Sequence, residues 1–179
     1  MMTCFFCSLH ANGYTLASAG NDGVVNLWDI RKFQNTRGMG ETPKPVATQS
    51  IGLSVNSSYF SPTGGCLLST SMANRLDLTE NVHTLQGAIK PTTSIQHNNQ
   101  TGRWLSTIMA CWHPKQDVFV SGSMKKPRCI EFFDSKGKLL REVTGESLTA
   151  VASRCCFHPS TKKLIVIGGN SSGRVVAIR

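Results

Sequence analysis

No stretch of this 179-residue sequence approaches the ~18 consecutive apolar residues that a membrane helix needs, so no membrane partner is expected. The opening Met1-Met2-Thr3-Cys4-Phe5-Phe6-Cys7 is apolar but lacks a basic region ahead of it, and Asn12-Gly13 follows quickly. That argues against a secretory signal. Acidic residues are scarce: 10 Asp and Glu stand against 19 Lys and Arg, for a net charge of +9. The excess favours polyanionic partners such as nucleic acid and says nothing about the fold. Cys4-x-x-Cys7 has no second pair to complete the four ligands of a structural zinc, so the two cysteines are read as core residues and no metal is expected. The seven cysteines are odd in number and scattered, which suits reduced thiols in a cytosolic or nuclear protein.

Catalytic patterns are missing too. There is no Gly-x-Ser-x-Gly elbow and no phosphate-cradling loop opening a helix. His10, His83, His97, His113 and His158 fall in different units, and His113-Pro114 and His158-Pro159 occupy one repeated turn, a structural signature. The chain is expected to be neither an enzyme nor a cofactor binder. Long helical patterns are few, while sixteen glycines point to a turn-rich β protein.

What is present is a repeat. Four segments share an apolar run, a tight turn, a second apolar run ending in small residues, a polar turn and a third apolar run. The first runs Phe5 to Leu9, Tyr14 to Ala19 and Val24 to Asp29. The second runs Ser58 to Pro62, Cys66 to Ser71 and a weak Arg75 to Leu78, which predicts a distorted second unit. The third runs Ile108 to Pro114, Val118 to Ser123 and Cys129 to Asp134, and the fourth Cys155 to Pro159, Leu164 to Gly169 and Arg174 to Ile178. The turn markers Asn12, Pro62, Pro114 and Pro159 are 50, 52 and 45 residues apart. Residues 34–45 are too polar and Gly/Pro-rich for a strand and read as a loop.

Leu16 to Arg31, LASAGNDGVVNLWDIR, resembles the signature half of a WD repeat. Small Ala17, Ser18 and Ala19 allow close packing, Asp22-Gly23 makes the tight turn, and Trp28 is a large ring with a donor. In such repeats an Asp, a Ser, a Trp and an upstream His often share a buried network; Asp22, Ser18 and Trp28 match three of them. The expected fold is all-β, a partial WD-repeat propeller of about four blades in an open arc. The blades are expected near 1–33, 46–80, 92–135 and 138–179, as the C-terminal portion of a larger ring.

A narrower resemblance rests on His97-Asn98-Asn99-Gln100-Thr101-Gly102-Arg103-Trp104-Leu105, Ala110 to Gln116, Ser121 to Met124 and Gly168 to Gly173. These are similar to a group of WD-repeat proteins related to the small subunit of the UV-damaged-DNA-binding complex. The resemblance implies a nuclear protein of the DNA damage response that reads damaged or modified DNA beside chromatin proteins. Loops on one face would collect Arg75, Arg103, Lys125, Lys126, Arg128 and Arg174, with Asp22 and Glu146 the chief acids. Arg and Lys suit phosphate oxygens. By resemblance to the damage-binding subunit, His97, Asn98, Arg103 and Trp104 would read the distorted DNA.

Some WD proteins are substrate receptors of cullin-RING ubiquitin ligases and meet the adaptor through a WD-x-Arg ending, which Trp28-Asp29-Ile30-Arg31 matches. A protein-interaction scaffold of that kind, without nucleic acid, is the alternative reading.

Overall fold

A computed structural model describes residues 4–36, 43–102, 105–159 and 165–179. Its strands build four sheets. The first holds β1 (Cys4–Leu9), β2 (Thr15–Gly20), β3 (Val24–Asp29) and β4 (Ala47–Ser50) in antiparallel order. The second holds β5 (Val55–Phe60), β6 (Cys66–Ser71) and β7 (Arg75–Glu80). Before its fourth strand the chain turns back to the first sheet: β8 (Gly87–Ile89) pairs in parallel with β4, and β9 (Thr93–Gln96) then closes the second sheet. The third sheet is β10 (Cys111–Trp112), β11 (Val118–Gly122), β12 (Cys129–Asp134) and β13 (Leu139–Thr144), and the fourth is β14 (Arg154–Phe157), β15 (Val166–Gly169) and β16 (Val175–Ile178).

The sheets are blades packed in chain order, with β5 against β1 and β2, β10 against β5, and β14 against β10 and β11. No barrel closes. Sheet membership is staggered from the sequence units, since β4 opens the second unit yet closes the first sheet. The second blade keeps a regular third strand where a distorted unit is expected, its irregularity lying instead at Val55–Ser57 of β5. Arg75–Glu80 pairs with Cys66–Ser71 over six positions without a bulge, because Leu76 and Leu78 alternate into the core despite the polar residues between them. Part of the 34–45 segment differs from a loop: Ile30–Thr36 is a 3-10 helix, and residues 37–42 lie outside the described residues.

Three apolar clusters fill the spaces between blades. The first joins Val25, Leu27, Val55, Phe60 and Leu67, with Val82 from the β7–β8 connection locked into it. The second is built on Phe119, stacked on Phe133 at 5.1 Å and edge-on to Trp112 at 5.2 Å. Burying each such ring contributes about 2–3 kcal/mol. The third joins Val120, Ile130, Phe132, Phe157 and Val166.

A turn device recurs between blades. His10 is buried, with Nε2 2.8 Å from the Gly64 carbonyl oxygen and its ring edge-on to Phe60 at 5.0 Å. His113 is edge-on to Phe157 at 5.0 Å, and its Nδ1 accepts the Lys115 and Gln116 amides. Burial lowers the His113 pKa, which suits a neutral ring accepting those bonds. Each histidine ends a blade's innermost strand and braces an aromatic on the innermost strand of the next blade.

Small residues set the blade spacing. A Cβ on Gly122 would sit 1.7 Å from the Ala152 carbonyl oxygen, and one on Gly168 2.9 Å from the Ala152 Cβ. Backbone cannot yield there as a side-chain tip can. Gly122→Ala is therefore expected to lower the unfolding free energy by about 2–3 kcal/mol through overpacking. Urea denaturation of the two proteins measures it, and an unchanged midpoint would place the third and fourth blades further apart than described.

Candidate nucleic-acid interface

The β2–β3, β6–β7, β11–β12 and β15–β16 turns share one end of the molecule with the connections that lead to the next blade. Ser54 donates to Asn21 Oδ1 at 2.7 Å, the Asn99 amide donates to Asn74 Oδ1 at 3.1 Å, and Arg174 donates to Thr149 Oγ1. Arg75, Lys125, Lys126, Arg128 and Arg174 all belong to these turns or the strand ends beside them. Arg103 and Trp104 lie outside the described residues.

The cations are not equivalent. Arg75 donates through Nε to Asp77 Oδ2 at 2.8 Å and through Nη2 to the Ile51 carbonyl at 3.3 Å. Asp77 is fully buried in β7, so Arg75 neutralises an internal charge. Lys125 bridges Glu131, at 2.6 Å, and Glu142. Those two carboxylates raise its pKa, and half of its side chain stays exposed. Arg128 donates to the Met124 carbonyl at 2.6 Å and folds over its own turn, half-buried. Lys126 and Arg174 are exposed.

His97 and Asn98 take different places. Asn98 is exposed, and its side-chain oxygen accepts the Gln100 amide at 3.1 Å. His97, expected to read DNA, is instead only 6% exposed. Its Nδ1 meets Asn99 Oδ1 at 2.6 Å, and its Nε2 lies 3.0 Å from Glu131 Oε2 on the neighbouring blade, off the line of a well-formed hydrogen bond. Asn99 holds the loop inward by donating to the Ser71 and Arg75 carbonyls at 2.9 and 3.1 Å. The physical reason is Glu131: a carboxylate inside the blade junction requires positive or donor groups, and His97 and Lys125 converge on it.

Burial alone would raise the Glu131 carboxyl, but His97 and Lys125 outweigh it and hold the pKa down at about 2. Cys129, Glu131 and Glu142 also bring potential metal-ligand atoms within 4.8 Å of one another. The Lys125 ammonium already bridges the two carboxylates, so a cation of the protein itself occupies the place between them.

Sequence reasoning missed Arg154. In Ser153-Arg154-Cys155-Cys156 it reads as one polar residue beginning a strand. In the structure it is exposed at the head of β14, an innermost strand, and donates to Thr107 Oγ1 at 3.1 Å. The signal lay in the alternation of β14, where Phe157 packs inward.

At the opposite end of the first blade, Trp28 Nε1 donates to Ser18 Oγ at 2.7 Å, as the repeat predicts. Asp22 does not join that network. It is exposed and accepts the Val24 amide at 3.2 Å, fixing its own tight turn. Asp29 and Arg31 form a two-pronged fork at 2.9 and 2.7 Å, and the guanidinium lies 3.8 Å from the centre of the Tyr14 ring. The Arg31 hydrogen bond lowers the Asp29 pKa, while the Arg31 side chain remains 64% exposed. The fork is thus ordered and open to solvent.

The WD domain, G-beta repeat family matches residues 3–29, the span of the first three strands. The chain is a WD-repeat protein. Among its relatives, WD repeat-containing protein 76 of Mus musculus is 35% identical over 152 residues, covering 84% of this chain and 24% of the relative. WD repeat-containing protein 76 of Xenopus laevis is 36% identical over 171 residues, 94% of this chain and 28% of that protein. DNA damage-binding protein CMR1 of Chaetomium globosum is 31% identical over 182 residues, 94% of this chain and 34% of that one. The chain thus spans about a quarter to a third of the length of these relatives. The crystal structure of Saccharomyces cerevisiae Sqt1 superposes with a TM-score of 0.66 at 17% identity, over 93% of this chain and 42% of that one, a likeness of fold alone.

The Glu131 cluster sets a pH dependence. A carboxyl depressed on folding contributes stability that is complete above its ordinary value of 4.5 and is lost as pH falls towards about 2. Glu131→Gln should therefore lower the melting temperature most near neutral pH, and the gap from the unaltered protein should shrink between those two values. Thermal melts across that range test it. A gap constant with pH would mean that Glu131 acts by shape rather than charge.

Proposed function

We propose that this WD-repeat chain belongs to a nuclear protein of the DNA damage response and binds damaged or modified DNA through the end carrying Lys126, Arg128 and Arg174. Its role is binding rather than catalysis. The observation that carries the reading is the coincidence of two things. Relatives matched along most of the chain include a protein named for DNA damage binding, and exposed or half-exposed cations without carboxylate partners among the described residues gather on one end. Arg75 and Lys125 are taken up by the carboxylates of the blade seams and add less to the charge that this end presents. Asn98 remains a candidate for discriminating a lesion from plain duplex, with Arg103 contributing charge on any sequence, while His97 sets the loop against the third blade. Chromatin proteins are natural neighbours of such a complex.

Four phosphate contacts, from Arg103, Lys126, Arg128 and Arg174, predict that log K falls against log salt with a slope of about −3 to −4. Reversing the charge of Lys126, Arg128 and Arg174 together should remove binding and flatten the slope. Electrophoretic or fluorescence titration of a damaged duplex at several salt concentrations reads both. Binding indifferent to salt, or to the triple reversal, would overturn the assignment.

A second role is favoured by a separate observation, the exposed Asp29–Arg31 fork at the opposite end of the blade. We propose it as a contact for a cullin-RING ligase adaptor, with Trp28 buttressing it through the Ser18 bond. Because the two surfaces lie at opposite ends, DNA and adaptor do not compete. Arg31→Ala should weaken adaptor capture about tenfold, the effect of a hot-spot arginine, and leave the melting temperature within a degree or two. Capture equal to that of the unaltered chain makes the sequence Trp28-Asp29-Ile30-Arg31 a blade ending only.

A further inference from the structure

A cavity of about 350 Å³ opens where the innermost strands reach the cation-bearing end. Phe6 of β1 and Val55 of β5 form an apolar wall, and Asn21, Ser54, Asn56, Thr107 and Arg154 line the remainder. Two of the polar groups, Asn21 and Arg154, keep donors to offer. Asn21 uses its Oδ1 to accept from Ser54, which leaves its amide NH2 to donate. Arg154 gives one Nη to Thr107, and its Nε and other Nη have no protein partner among the described residues. No carboxylate of the described residues lies within ion-pair distance of it. Burial lowers the Arg154 pKa, with the Tyr59 hydroxyl opposing. The guanidinium faces the pocket and solvent with donors to spare and no counter-ion among the described residues, an arrangement that attracts an oxyanion.

The pocket distinguishes between kinds of anion. A nucleic-acid strand presents a phosphate about every 3.4 Å of its axis, so a strand threaded here would call for several cations. The lining offers one. A single anionic group on a flexible stem fits better, its charge at the Arg154 fork and its apolar part against Phe6 and Val55. We propose that this pocket binds one oxyanion carried on a peptide, a phosphoserine phosphate or a Glu or Asp carboxylate, with Arg154 as its receptor. The site lies at the same end as the DNA-facing turns and includes Asn21 of the β2–β3 turn, but it carries none of the cations assigned to DNA and does not depend on the function assigned to them.

The test is selection from peptide libraries randomised around a central phosphoserine, glutamate or serine, using the whole chain. Enrichment of an anionic centre over serine by about tenfold is expected, and the stronger of the two anionic libraries identifies the source. Arg154→Gln should abolish the enrichment with melting temperature unchanged. Arg154→Lys should retain part of it, since a point charge replaces the planar fork. Should Arg154→Gln fail to fold, Thr107→Val keeps the guanidinium but removes its orienting bond, and a several-fold loss is expected. Three results would overturn the proposal. One is equal selection of serine and anionic centres; another is enrichment that survives both Arg154→Gln and Thr107→Val. The third is competition by a ten-residue thymidine oligonucleotide that is itself lost in Arg154→Gln, which would make the pocket a nucleic-acid site.

Discussion

Everything in this chain depends on how closely one sheet can approach the next. No blade encloses a core of its own, because a twisted four-stranded sheet has two faces and too few residues to cover them. The apolar clusters lie between neighbours: Phe60 of the second blade packs with Val25 and Leu27 of the first, and Phe157 of the fourth with Val120 and Phe132 of the third. That contact requires small residues at the seams. Gly122 and Gly168 serve because even a methyl group would meet Ala152. The repeated His10–Phe60 and His113–Phe157 contacts then fix the rotation of one innermost strand relative to the next.

The polar seams follow the same logic. Where a charged residue lies between blades, the protein meets it with several partners. Asp77 receives Arg75 Nε and Ser94 Oγ, and Glu131 receives His97 and Lys125. Both carboxylates sit on third strands and both cations reach them from the end that carries the remaining basic turns. The electrostatics of the blade junction and of the candidate interface are therefore one system. The sequence contains more basic than acidic residues by nine, but the cations that count at the surface are those left after the buried carboxylates are neutralised.

The connection through Val82 and β8 shows a different constraint. The chain leaves the second blade, adds a parallel strand to β4 and returns to complete the second sheet with β9. This covers the outer edge of β4, a strand that would otherwise expose unpaired backbone groups. It also ties the first two blades by chain connectivity as well as by packing.

The sequence by itself determined the class of fold. Strand periodicity, small residues before tight turns and the Trp28 signature identify blades because these features are local: alternation, turn chemistry and steric size need no distant partner. It also showed which turns carry basic residues. Tertiary structure alone decided which of those residues face solvent. Lys125 and Arg75 look in the sequence like Lys126 and Arg174, but buried carboxylates occupy the first two: Asp77, two residues along Arg75's own strand, and Glu131, on the strand that follows the Lys125 turn. His97 sits in a polar loop that reads as surface, yet it is buried because its partner lies 34 residues away on another blade. Arg154 was invisible for the opposite reason. A lone arginine at the head of a strand gains meaning only when four other segments converge to form a pocket around it. Charge is local in the sequence, but desolvation and pairing are properties of the assembled seams.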